Sequence, residues 1–189
     1  MHHNAINHAF GNIDLYLLDQ VLKGRFEGKK TLLDAGCGEG RNLRYFADQN
    51  FELYGNDIEP MAIKMVQMSY PKVTKDNFTV KATEDLTYPS NFFDIILCGA
   101  VLHFAKSQNH FDQMLDQLAK LVKKGGVLFI RMATNIGIDG ITNSTFTYHL
   151  NEDEIHDTFS KRNLIFIEPW KSVVVEGQRS MGTFILSKV

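Results

Sequence analysis

The chain has only two cysteines, Cys37 and Cys98, too few for the disulfide framework of a small secreted protein, and a reducing cytoplasm is their expected setting. No stretch is long and apolar enough to cross a bilayer. The start, Met1-His2-His3-Asn4-Ala5-Ile6-Asn7-His8, lacks the basic residues and apolar centre of a signal peptide. Its three histidines have no cysteine or carboxylate in ligand register, so a mobile or capping segment is expected there and no metal site. Charge of one sign is also missing. The formal net charge is −2, with acids and bases interspersed, which leaves no electrostatic footprint for nucleic acid or an anionic membrane. Cysteine–histidine metal spacing and G-x-S-x-G are absent, as are internal repeats and low-complexity tracts. With 189 residues, one domain with a sizeable core is the simplest organisation.

What is present centres on Leu32-Leu33-Asp34-Ala35-Gly36-Cys37-Gly38-Glu39-Gly40-Arg41-Asn42. An apolar run feeds a loop with glycine at every second position, and a helical pattern follows. Such glycines allow unusual backbone angles and leave out the Cβ atoms that would block a ligand. Strand, glycine turn and helix start together form a nucleotide-type cofactor site. The dinucleotide fingerprint needs glycine at its first, third and sixth positions, but here the third glycine arrives early, at Gly40, and Arg41 takes the sixth place.

Around this loop, helix and strand patterns alternate. A helix over 13–22 places Leu15, Leu18, Val21 and Leu22 near one face. Strands are expected at 31–35, 51–56, 77–80, 92–99 and 127–132, their unbroken apolar character suiting a parallel sheet covered on both faces. The intervening helices begin near Arg41, with Leu43, Phe46 and Ala47 inward, and at Glu59-Pro60, with Met61, Ile63, Met65 and Val66 buried and the methionines as core filler. The clearest amphipathic helix spans 109–122, burying Phe111, Met114, Leu115, Leu118 and Val122, with Lys123-Lys124-Gly125-Gly126 as its stop. A polar stretch, 133–148, with glycines at 137 and 140, is expected to loop over the site. Asn151-Glu152-Asp153-Glu154 reads as a capping box opening a helix through Phe159. Strands at 164–167, 172–175 and 183–186 end in a hairpin. The alternation predicts a doubly wound α/β sheet.

The loop, with its acid at Asp34, resembles the first motif of the class I S-adenosylmethionine-dependent methyltransferases, and the resemblance extends from Thr31 to Met132. It implies a Rossmann-like, mostly parallel seven-stranded sheet with a closing antiparallel hairpin. Residues 1–28 would form a helical cap and 29–189 the α/β core. The implied cofactor is S-adenosyl-L-methionine, with S-adenosyl-L-homocysteine as product. Asp34, Gly36, Cys37, Gly38, Gly40 and Asn42 would form one wall of its pocket. Asp57, about 20 residues beyond the loop, is placed to accept hydrogen bonds from both ribose hydroxyls, and Ile58 would pack on the adenine ring; as a plain structural element, Asp57 would instead cap the next helix. Ala82 stands where the family often has an aspartate at the adenine edge; Thr83 and Glu84 would line that edge, with the Glu84 backbone N–H or a carboxylate from Glu84 or Asp85 taking over, unless the stretch is a solvated acidic loop. The turn at Cys98-Gly99 would offer backbone carbonyls to the ammonium of the methionine part.

His103, just beyond that turn, is the candidate general base, or else part of the pocket wall. Arg41, Arg131 and Arg179 are candidates for holding an anionic substrate. The N/D-P-P-Y sequence of nucleic-acid and protein amine methylators is missing, which favours a small-molecule acceptor with no nucleic-acid or membrane partner. Gly36 through Asn42 also reads like the tellurite-resistance methyltransferases, small bacterial enzymes in which Arg-Asn follows the loop. Methyl transfer from a sulfonium needs mainly in-line positioning, so the lack of a catalytic dyad does not count against an enzyme. The alternatives are a non-catalytic S-adenosylmethionine-binding module and a nicotinamide-dependent oxidoreductase, the latter disfavoured by Arg41 and by the lack of a separate catalytic domain.

Overall fold

The computed structural model describes residues 10–138 and 145–189. The three N-terminal histidines and Gly140 lie outside them. In chain order the main elements are α1 (Leu15–Leu22), β1 (Thr31–Ala35), α2 (Arg44–Asp48), β2 (Glu52–Asp57), α3 (Pro60–Ser69), β3 (Phe78–Val80), β4 (Phe93–Gly99), α4 (Gln108–Leu121) and β5 (Val122–Thr134). They continue with α5 (Ile155–Ser160), β6 (Leu164–Phe166), β7 (Lys171–Val175) and β8 (Arg179–Lys188). The strands form one eight-stranded sheet, one more than the expected seven, in the order β3-β2-β1-β4-β5-β8-β6, with β7 paired to β8 off this path. β1 to β5 run parallel, β8 is antiparallel to β5, and β7 and β8 make the expected closing hairpin.

Successive side chains of β1 enter opposite cores. Leu32 packs with Leu43, Phe46, Leu53, Ile95 and Leu97 on one face, and Leu33 with Tyr54, Ile96, Phe111 and Leu115 on the other. The unbroken apolar run therefore reads as expected for a strand covered by helices on both sides. β1 ends at the C-terminal edge of the parallel strands, between β2 and β4, and this edge receives the glycine loop.

Five local expectations are corrected. In α1 the buried residues are Leu17 and Gln20, while Leu15 and Leu22 are exposed. The rotation of this helix is set by polar ties: Asp14 caps it through Tyr16 N–H and Leu17 N–H and accepts from Arg131 Nη1 at 2.8 Å, and Gln20 reaches Glu168. In α3 only Ile63 and Val66 are buried; Met61, Met65 and Met68 are 64%, 38% and 72% exposed, because the helix turns a narrow face to the sheet. Lys123-Lys124-Gly125-Gly126 is not a helix stop. It lies within β5, where the register shifts between Lys124 and Val127 and Gly125 has φ +70°. The helix expected near Arg41 begins at Arg44, after successive turns in which Gly40 N–H donates to Cys37 O and Leu43 N–H to Gly40 O.

The box at 151–154 is a 3₁₀ turn leading into α5, and Asn135 Oδ1 rather than the Asn151 side chain takes the free N–H of Glu152.

Asp94 splices three strand starts. Its carboxylate accepts from Lys30 N–H, Thr31 N–H and Thr31 Oγ1 at 3.0, 3.0 and 2.9 Å, and from Lys123 Nζ at 2.8 Å. Burial alone raises its carboxyl pKa, but the bonds from Lys123, Thr31 and Lys30 together hold it well below the usual range. Asp94→Ala is expected to lower stability by about 2–3 kcal/mol, since it strands several donors. Denaturant unfolding near neutral pH checks this.

Candidate active site

The loop leaving β1 uses its glycines for two purposes. Gly36 has φ +70°, and a Cβ there would lie 2.2 Å from Val101 Cγ2, so close packing against the turn after β4 demands glycine. Gly38 has φ +53° but no atom within 4 Å of a Cβ, so its side of the loop is open space. Gly40 packs against Val66 and Tyr70, and the Tyr70 hydroxyl donates to Gly40 O at 2.7 Å.

Asp57, at the tip of β2, holds this loop. Its Oδ2 accepts from Gly38 N–H at 2.9 Å and its Oδ1 from Glu59 N–H at 3.0 Å. One carboxylate thus bridges the glycine loop and the start of α3. Beside it, Ile58 is 67% exposed. A cavity of about 400 Å³ opens between the strand tips, and of the expected residues it is lined by Gly36, Asp57, Ile58, Thr83 and Glu84.

Its far wall was missed by the sequence reading: Phe104, Lys106, His110 and Met114. Lys106 N–H donates to His110 Nδ1 at 3.0 Å, so Nε2 carries the proton and donates to Glu84 Oε1 at 2.7 Å. Ser107 Oγ caps this end of α4 by accepting from His110 N–H. Ser107 was the available signal, a capping residue three positions before a histidine. Which acid the histidine meets depends on α4 packing against the Thr83–Asp85 turn.

Other expected residues lie outside the cavity wall. Cys37 is buried with its sulfur under Gly55, and Cys98 is buried in the core. Burial pushes both thiols up, so they stay protonated. Asn42 Oδ1 accepts from Asp14 N–H at 3.0 Å and ties the loop to α1. Gly99 pairs with Arg131 in the sheet. Asp34 lies buried beneath the loop with Oδ2 unpartnered. Burial raises its pKa to about 7, with Arg41 pulling it down and Asp57 pushing it up.

His103 is 1% exposed, and its Nδ1 accepts from Ala133 N–H at 3.2 Å. The proton therefore sits on Nε2, which has no partner. Burial, reinforced by His149, Arg131 and Arg179, lowers its pKa to about 4. At neutral pH it is an uncharged N–H donor held against the rings of Phe104 and Phe146.

Residues 33–130, just over half of the chain, match the protein-family model described as "Methyltransferase domain". The chain belongs to the class I S-adenosylmethionine-dependent methyltransferase family. Within that family it is 26% identical over 126 residues to the ubiquinone biosynthesis O-methyltransferase of Nitrosomonas europaea, a match covering 65% of this chain and 51% of that protein. It is 31% identical over 100 residues to the tRNA (carboxymethyluridine(34)-5-O)-methyltransferase of Arabidopsis thaliana, covering 53% of this chain and 23% of the relative. The chain spans about half or less of the length of these curated relatives. In fold it is similar to the Burkholderia thailandensis 1,6-didemethyltoxoflavin-N1-methyltransferase, solved with 1,6-didemethyltoxoflavin and S-adenosylhomocysteine bound. That likeness has a TM-score of 0.72 at 17% identity and covers 99% of this chain and 84% of the other.

The residues of this family member fit the family's cofactor. S-adenosylmethionine offers hydrogen-bond donors from its ammonium, ribose and adenine groups. On this side of the sheet edge the chain leaves two buried acceptors unpartnered, Asn56 Oδ1 in the cavity wall that also exposes Ile58, and Asp34 Oδ2 beneath the loop.

Gly36→Ala is expected to cost about 2–4 kcal/mol through overlap with Val101 added to backbone strain, and Gly38→Ala only about 1–2 kcal/mol from strain alone. Thermal unfolding of the two variants checks the contrast. Because the folded chain holds the Asp34 proton more tightly than the unfolded chain, Asp34 costs stability as pH rises from about 4 through about 7. Asp34→Asn is expected to remove that loss, on the order of 4 kcal/mol, as read by unfolding at either end of the window.

Proposed function

We propose that this chain is an enzyme that moves a methyl group from S-adenosylmethionine to a small-molecule acceptor by in-line displacement. The observation that carries this reading is the Asp57 carboxylate, fixed by Gly38 N–H and Glu59 N–H at the rim of a cavity that also exposes Ile58. In that position Asp57 accepts the ribose hydroxyls and Ile58 covers one face of the adenine. Glu84, oriented by His110, serves the adenine edge in place of the acid missing at Ala82. Asp34 answers the ammonium from below the loop, and losing its proton strengthens that interaction. When bound, the cofactor supplies a methyl carbon already electrophilic on a sulfonium, with a neutral thioether as leaving group. The protein's task is then to orient two partners and exclude water, which gains more from a rigid sheet edge than from proton transfer.

A small acceptor is supported by the quinone-pathway name of the Nitrosomonas relative and by the toxoflavin precursor in the Burkholderia structure. The Arabidopsis relative acts on tRNA by its name, but a net charge of −2 gives this chain no general attraction to a polyanion. We read the protein as cytoplasmic, in keeping with two buried, unpaired thiols. Among the described residues no helix is long and apolar enough to cross a membrane.

Isothermal titration is expected to show S-adenosylmethionine and S-adenosylhomocysteine binding near micromolar. Asp57→Ala should weaken both by roughly 10- to 100-fold, about 1.5–3 kcal/mol, through lost charge-assisted hydrogen bonds. A screen of small acceptors should release S-adenosylhomocysteine. Absence of binding by either compound overturns the reading.

A further inference from the structure

The C-terminal edge of the sheet is divided by charge. On the β1–β2–β3 side stand Asp57, Glu59, Glu84 and the two orphaned acceptors. Across β4, β5 and β8 the pattern reverses. His103 follows β4, Arg131 sits at the end of β5 opposite Gly99 and Thr183, and Arg179 opens β8. The segment leading to the Thr134–Leu150 bridge adds His149, and it is pinned over His103 by Thr147 N–H and Tyr148 N–H, each donating to His103 O at 3.0 Å. Arg131 and Arg179 both bring positive charge to His103, while burial holds His149 below the ordinary histidine range, so near neutral pH it faces this side as an uncharged imidazole.

Two donors on this side are buried without partners, His103 Nε2 and Arg131 Nε. Asp14 offsets Arg131 at 2.8 Å and lies 3.8 Å from Arg41, so one carboxylate faces two guanidinium groups. Among the described residues no ion pair is made by Arg179 or His149. Buried donors left open are costly unless an acceptor completes them, and the exposed Arg179 stands ready beside them to pair with an acceptor that carries negative charge.

The walls are aromatic. The ring of Phe146 lies 4.0 Å and that of Phe104 4.6 Å from the His103 ring, centroid to centroid. Phe104 is 49% exposed and also lines the cavity beside Asp57, so it joins the two halves.

We propose that this cationic half is the acceptor site and that it selects a small, flat organic anion, its body against Phe104 and Phe146 and its anionic group facing Arg179, His149 and the His103 Nε2–H. The inference rests on the methyltransferase reading and adds the acceptor's chemical class. Arg131, held by Asp14 and stacked over Tyr16 at 5.2 Å, shapes the field from the floor, while Arg179 is free to engage the ligand. His103 then acts as a donor that orients the anion, which its Nε2-protonated tautomer allows.

The test uses the full chain saturated with S-adenosylhomocysteine, titrated with 4-hydroxybenzoate and with its neutral counterpart 4-hydroxybenzamide. The carboxylate is expected to bind at least about tenfold more tightly, the change that loss of one charge-assisted contact produces. Arg179→Gln, at an exposed position that should not disturb folding, is expected to remove most of that preference while S-adenosylhomocysteine affinity stays within about twofold. Equal binding of the two probes, a preference that survives Arg179→Gln, or failure of benzoate, 4-hydroxybenzoate and phenylacetate all to bind the loaded protein overturns the inference and leaves the methyltransferase reading standing. Failure to take up S-adenosylhomocysteine overturns that reading and the inference with it.

Discussion

Burial of β1 on both faces is the constraint from which the site follows. With Leu32 committed to one core and Leu33 to the other, the strand can neither slip nor tilt, and Ala35 hands the chain to the glycine loop at a fixed point between β2 and β4. The neighbouring strand tips then have fixed places too. Asp57 ends β2 beside the loop and Val101 follows β4 against it. Gly36 is the residue that lets these backbones meet, because any side chain there would occupy the position of Val101 Cγ2.

Stability and function pull apart at this edge. Asp34 is buried with an oxygen unsatisfied, and the fold bears the cost of keeping it there. The same holds for the Nε2–H of His103. Asp34 lies near the end of β1 and His103 in the turn that follows β4, both buried in rigid packing that leaves little room to relax. Asp94 shows the opposite case, a carboxylate fully settled by four protein donors.

The strand and helix order was legible because hydrophobic periodicity is strong where an element is covered: β1, β4 and α4 all carry unbroken or three-and-four apolar spacing. The pattern misled where burial was partial. Three methionines in α3 look like core filler, yet the helix needs only Ile63 and Val66 against the sheet. The leucines of α1 suggested a face that polar ties at Asp14 and Gln20 then rotated to solvent. Lys-Lys-Gly-Gly has the composition of a helix stop, but pairing of Phe93 with Val122 draws the chain into β5 at once.

By itself the sequence determined the glycine loop, the acid at the tip of the next strand and hence the family, since these depend on local spacing along adjacent strands. Tertiary structure alone decided the rest. His110 meets Glu84 across 26 positions, and Arg131 meets Asp14 across 117. The tautomer of His103 depends on a backbone N–H of β5. Such pairings arise from how helices settle on the sheet, and no local pattern encodes them. The division of the sheet edge into an accepting and a donating half is likewise a property of the assembled strands, because its members come from seven separate stretches of chain.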